Sequence, residues 1–191
     1  MTATPGKGYL HHTSEELDNI VRLAGDKRVT RLEGSQATIG AVRDGMNDHT
    51  WIHFACHASQ SLDEPTTSGF HLHDGSLDLA EISRYPLKKA RLAFLSACET
   101  ATGVEKWSEE AVHLAAGMLM SGCPSVIATM WSVRDQDAPM VTERVYERLL
   151  ENGKASSVDS ARALHAAVAH LREKIGEDQF AAWIPFIHVG L

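Results

Sequence analysis

Hydrophobic positions recur along this chain with two different periods. Leu17, Ile20, Val21 and Ala24 fall on one helical face, and Thr13 and Glu16 stand at capping-box spacing, so a first helix is predicted to start at Thr13. Thr38 is placed to cap a second helix with Ile39, Val42 and Met46 inward, ending at Asp48-His49. Between them Val29-Thr30-Arg31-Leu32 reads as a short β-rich stretch. Further helices are predicted over 109–120, with Val112, Ala115, Ala116 and Leu119 on one face, and over 139–150 and 158–175, the last two separated by Asn152-Gly153.

The strand signals are of another kind. Trp51 to Cys56 and Leu92 to Ser96 are nearly continuous apolar runs without charge, the pattern of strands buried on both faces of a parallel sheet, and Val126 to Met130 is a third. Phe70 to His73 and Ser76 to Leu79 alternate around Asp74-Gly75, which predicts a β-hairpin inserted at the edge of the fold. Ile187-His188-Val189 reads as a short final strand. Strands alternating with helices predict a parallel sheet covered on both sides, and such sheets bind ligands beyond the carboxyl ends of their strands. His57 and Cys98 both fall at such ends.

Composition narrows the class. The chain has 191 residues, which suits one domain spanning 1–191, with 43% hydrophobic and 23% charged residues, close to ordinary globular usage. The net charge is −7 and the basic residues are scattered, which argues against nucleic acid as a partner. No apolar run approaches the ~20 residues needed to cross a bilayer, and the N-terminus is not basic then apolar, so the expected location is the cytoplasm or nucleus, with no membrane partner. Three cysteines, Cys56, Cys98 and Cys123, are an odd count, and reduced thiols are expected.

A thiol of ordinary pKa ~8.5 is mostly protonated at neutral pH, so a nucleophilic cysteine needs an imidazolium or helix N-terminus nearby. A histidine ending the neighbouring strand would supply it and could then protonate a leaving amine, while backbone N–H groups stabilise the oxyanion. Spacing alone leaves this open, because a cysteine near a strand end is usually a small buried hydrophobe.

Longer stretches carry more. Leu32 to Thr38 (LEGSQAT), Trp51 to Ala58 (WIHFACHA), Leu95 to Thr100 (LSACET), Gly117 to Asp135 with its SGCPSVIATMWSVRD, and Trp183 to Gly190 together resemble the CHAT domain, a caspase- and separase-like peptidase family often joined to tetratricopeptide repeats. The resemblance implies a three-layer α/β/α caspase-like fold with a mostly parallel central sheet. It implies a cysteine endopeptidase with His57 and Cys98 as its catalytic dyad, a protein or peptide substrate, tetratricopeptide regions of a longer chain as partners, and no metal or organic cofactor. Ala58 stands where the family more commonly has Gly, which tightens the oxyanion region but keeps the backbone donor. Caspase-like folds open on a central strand, and Met1 to Gly8 lies where that strand should just have ended, so the chain is expected to be a fragment lacking its first strand, or an unusual gene product.

Other residues have competing readings. His53, Cys56, His57, His71 and His73 contain zinc-binding types, but residues 53 and 57 share a strand face that Cys56 does not, and no Cys-x-x-Cys pair is present. Cys56 and Cys123 read as core thiols. Asp135 is either a carboxylate of the specificity pocket, pairing with a basic substrate side chain, or a helix cap, whereas Asp137 reads as cap or solvent. Glu99, beside the nucleophile, would oppose thiolate formation and more plausibly bonds locally or contacts substrate. Trp131, Trp183 and Phe186 read as core or pocket wall, and His188 as structural. The rival to the peptidase is a catalytically silent signalling or scaffold domain, and a weaker one is a small-ligand domain, which no Gly-rich phosphate loop supports.

Overall fold

A computed structural model describes residues 4–59, 61, 63–96, 98–99, 111–151 and 156–191. Helix α1 (Thr13–Ala24) is followed by α2 (Ile39–Asp48), then β1 (Trp51–Phe54), β2 (His57–Ser59), β3 (Gly69–His71), β4 (Ser76–Asp78) and the single-turn α3 (Leu79–Ile82). The chain continues through β5 (Leu92–Leu95), β6 (Cys98–Glu99), α4 (Ala111–Met120), β7 (Ser125–Thr129), α5 (Ala138–Leu149), α6 (Ser160–Ile175), α7 (Phe180–Trp183) and β8 (Phe186–Gly190).

The strands form two sheets. The larger has the order β1-β5-β7-β8, with β1, β5 and β7 parallel and β8 antiparallel, pairing Trp51 with Leu92, Phe94 with Ile127, and Ile127 with His188. The smaller has the order β4-β3-β2-β6. Leu92, Ala93, Phe94, Val126 and Ile127 are almost completely buried, as their unbroken apolar runs require. One face packs Ile20 of α1, Val141 and Val145 of α5, and Ala163, Leu164 and Leu171 of α6 against Leu92, Phe94 and Ile127. The other packs Met46 of α2, Leu79 and Ile82 of α3, and Leu114, Ala115 and Met118 of α4 against Ile52, Ala93 and Val126. Helices on both faces give the expected α/β/α architecture.

Thr38 caps α2, its side-chain oxygen accepting from the Ala41 N–H at 3.2 Å. The Asp74-Gly75 hairpin forms with Gly69 opposite Asp78 and His71 opposite Ser76, and it extends the smaller sheet. Gly69 is obligatory there, because a Cβ would lie 2.5 Å from the Leu77 carbonyl oxygen. Phe70 stacks on Phe54 with ring centroids 4.0 Å apart, pinning the smaller sheet to the end of β1.

Several local expectations are corrected. Val29 to Leu32 forms no strand; it is extended but pairs with no neighbour among the described residues. The Thr13–Glu16 capping box does not form, since His12 is the N-cap and the Thr13 hydroxyl donates to the Leu10 carbonyl. Glu16 instead points into the protein, 1% exposed. The inward face of α4 is Leu114, Ala115 and Met118, with Leu119 only half-buried. The start of α4 before Ala111, the Val112 side chain and Asn152-Gly153 lie outside the described residues. Residues 4–10 make no regular strand, and β1 has no strand on its outer edge among the described residues.

Candidate active site

Strands β1 and β5 run parallel and break together. After two residues, Ala55-Cys56 and 96–97, each resumes in the smaller sheet, as β2 and β6. There His57 stands in parallel register with Cys98, and Ala58 with Glu99. The chemistry-bearing residues therefore come from adjacent strands just past the carboxyl end of the larger sheet. The side chains of Cys98 and Glu99 lie outside the described residues.

The imidazole of His57 is 2% exposed. Its Nε2–H donates to the Gly8 carbonyl at 2.8 Å. Because a carbonyl only accepts, that bond assigns the ring proton to Nε2 and leaves the Nδ1 lone pair of the neutral ring available as a base. Nδ1 is buried and has no partner among the described residues. A buried acceptor without a donor costs roughly 1–3 kcal/mol, which makes its presence informative. Gly8 is delivered by a turn in which the Lys7 N–H donates to the Thr4 carbonyl.

His71 lies near enough to interact electrostatically with His57, and its buried Nε2 is likewise unpartnered. Burial first, then the charges of Lys7 and His57, pushes its pKa below the ordinary histidine value, so it favours the neutral ring. Ala58 is buried and registers with Phe70 on one side and Glu99 on the other.

The acids of the loop after β7 do not act as side-chain caps. Asp135 does not cap α5; its Oδ2 accepts from the backbone N–H of His12, at 3.0 Å, and so anchors the start of α1. Asp137 is neither a side-chain cap nor solvated: it is 3% exposed and accepts from Arg134 Nε at 2.6 Å. Trp131 is half-buried and its Nε1–H donates to the Ala181 carbonyl at 3.0 Å. Cys56 and Cys123 are buried, and burial pushes the Cys123 thiol pKa up. His188 is structural, its Nε2 bonded to the hydroxyls of Ser125 and Ser160.

A buried polar cluster escaped the sequence reading. The Glu16 carboxylate accepts from His53 Nε2–H at 3.2 Å and from Thr142 Oγ1–H on one oxygen, and from Ser96 Oγ–H at 3.1 Å on the other. The Tyr146 hydroxyl donates to His53 Nδ1 at 3.2 Å, and burial together with Glu16 raises the Tyr146 pKa, keeping it a neutral donor. The signal was present: Glu16 and Ile20 are four apart on the apolar stripe of α1, so a carboxylate on the core face was visible.

A family model described as the CHAT domain matches residues 3–191 of the chain. No curated protein matches it significantly.

Proposed function

We propose, from the premise that this chain belongs to the CHAT domain family, a caspase-like family, that it is a cysteine endopeptidase acting through His57 and Cys98. The observation that carries the reading is the parallel register of His57 with Cys98, joined to a buried Nδ1 on the histidine that has no partner among the described residues. Proton transfer from the Cys98 thiol to the imidazole gives a thiolate, which attacks the scissile carbonyl carbon. Backbone N–H groups at the ends of β2 and β6, Ala58 among them, stabilise the oxyanion. As the tetrahedral intermediate collapses, the imidazolium gives its proton to the leaving amine and a Cys98 thioester remains. Water then adds to the thioester with His57 taking its proton, and the thiolate leaves with the second product, the acid. Glu99 and Trp131 would contact the substrate, and Asp135 Oδ1 would receive a basic side chain at the cleavage site. No metal or organic cofactor takes part in these steps.

One observation favours the silent scaffold instead: Gly8 covers His57, which is almost fully buried. The test is covalent labelling with an acyloxymethyl ketone peptide carrying Arg or Lys at its reactive end. Cys98 should be labelled in preference to Cys56 and Cys123, Cys98→Ala should abolish the adduct, and His57→Ala should slow it strongly. Labelling by neutral probes only removes the Asp135 pocket and spares the dyad; no adduct with any probe on the folded chain favours the scaffold.

A further inference from the structure

We propose that Glu16 is a positioning residue for the dyad, one buried carboxylate that holds both dyad-bearing strands at the point where they leave the larger sheet; this rests on the peptidase reading above. Its His53 bond fixes β1 four residues before His57, and its Ser96 bond fixes the end of β5 two residues before Cys98. The two strands it holds are the two that continue into the dyad; among the described residues, β7 and β8 give the cluster no hydrogen bond.

Packing alone gives no reason for a carboxylate here. Glu16 is 1% exposed, Thr142 is fully buried and Ser96 is 7% exposed, and an ionised group in such a place is tolerated only when hydrogen bonds replace its water. A leucine would fill the same space at lower cost but would hold neither strand in register. The cluster is anchored from outside the sheet as well. Thr142 and Tyr146, four apart on α5, tie the carboxylate and its histidine to that helix, and Asp135 fixes the start of α1 through the His12 N–H, setting the rotation that aims Glu16 inward.

Ser96→Ala is the sharpest test, because it deletes one hydroxyl without changing any charge, so an altered Cys98 ionisation would report geometry rather than lost Coulomb repulsion. Glu16→Gln is the companion variant, and Ser96→Thr, which keeps the hydroxyl, is the rescue. The reading is the rate of Cys98 alkylation by iodoacetamide against pH, followed by mass spectrometry of the intact protein, with kcat and KM on a peptide substrate and Tm alongside. The native chain should alkylate with a midpoint below the ordinary thiol value of about 8.5. Ser96→Ala should move that midpoint up and lower kcat about ten- to a hundredfold at nearly constant KM, with a lowered Tm because Glu16 Oε2 loses its donor, and Ser96→Thr should restore all three. A low native midpoint left unmoved by Ser96→Ala and Glu16→Gln overturns the positioning role and leaves the peptidase intact. An ordinary midpoint in the native chain, seen before any substitution is made, overturns the peptidase reading and the positioning role with it.

Discussion

The larger and smaller sheets share two continuous stretches of chain yet follow opposite rules. In the larger sheet, Leu92, Phe94, Val126 and Ile127 satisfy the demands of a core: apolar surface is removed from water and the one polar ring at its far side, His188, finds two hydroxyl partners. In the smaller sheet the strands are two or three residues long, and His57 and His71 each keep a buried ring nitrogen without a partner among the described residues. Stability is concentrated in one region, and unsatisfied chemistry in the other. Departures from polar satisfaction are expected where a protein does chemistry.

This contrast can be broken by substitution. The largest loss should come from Phe94→Ala, about 3–5 kcal/mol in urea unfolding, since the ring is fully enclosed between β1, β7 and α5. A loss below that of any variant in the smaller sheet would end the distinction. Gly69→Ala should cost about 1–3 kcal/mol, because the new Cβ meets backbone at Leu77 and Asp78 and the hairpin must shift. His57→Ala removes a single hydrogen bond to Gly8, worth about 1 kcal/mol, while slowing Cys98 labelling about a hundredfold or more. A large stability loss with unchanged labelling would invert the assignment of roles.

The smallest effect is in pH. Burial lowers the pKa of both His71 and His188 in the folded state, so the unfolded chain binds protons first as pH falls. Their contribution is complete above the unfolded histidine pKa, about 6.5, and is lost as pH falls through the lowered folded values. Tm measured across this window should decline toward acid, and His71→Gln and His188→Gln should each flatten the decline. His188→Gln should also lower the whole curve, since its ring bonds Ser125 and Ser160, whereas His71 Nε2 bonds nothing described.

The larger sheet was the legible part of the sequence. Continuous apolar runs at Leu92 and Val126 have few alternatives to a buried strand, and Thr38 and Asp74-Gly75 act through local geometry that residue type specifies. What stayed hidden depends on neighbours far along the chain. Val29 to Leu32 has β-prone residues, but a strand exists only if another edge pairs with it. Thr13 and Glu16 have capping-box spacing, yet a carboxylate offered donors from His53, Ser96 and Thr142 is better satisfied in the core than at the helix end. Asp135 reads locally as a pocket carboxylate or a cap for the helix after it, and its partner, His12, is 123 residues away. The register of His57 with Cys98 was legible as strand-end chemistry, but not the tilt into a second sheet that brings it about.

The outer edge of β1 has a consequence for motion. In a parallel ladder alternate residues face each neighbour; the Thr50 carbonyl accepts from Leu92, so Ile52 and Phe54 face β5 while the amides of Trp51 and His53 face outward. That side opens on a cavity of about 210 Å³ between α1 and α2, lined by Ile20, Val42 and Met46. Amide hydrogen exchange should therefore be fast at Trp51 and His53 and slow at Phe94 and Ile127, with β1 the first strand of its sheet to fray. Since β1 leads directly into β2, each such local opening would also loosen His57, so the time the base spends in place would be set by fluctuations of an edge strand rather than by global unfolding.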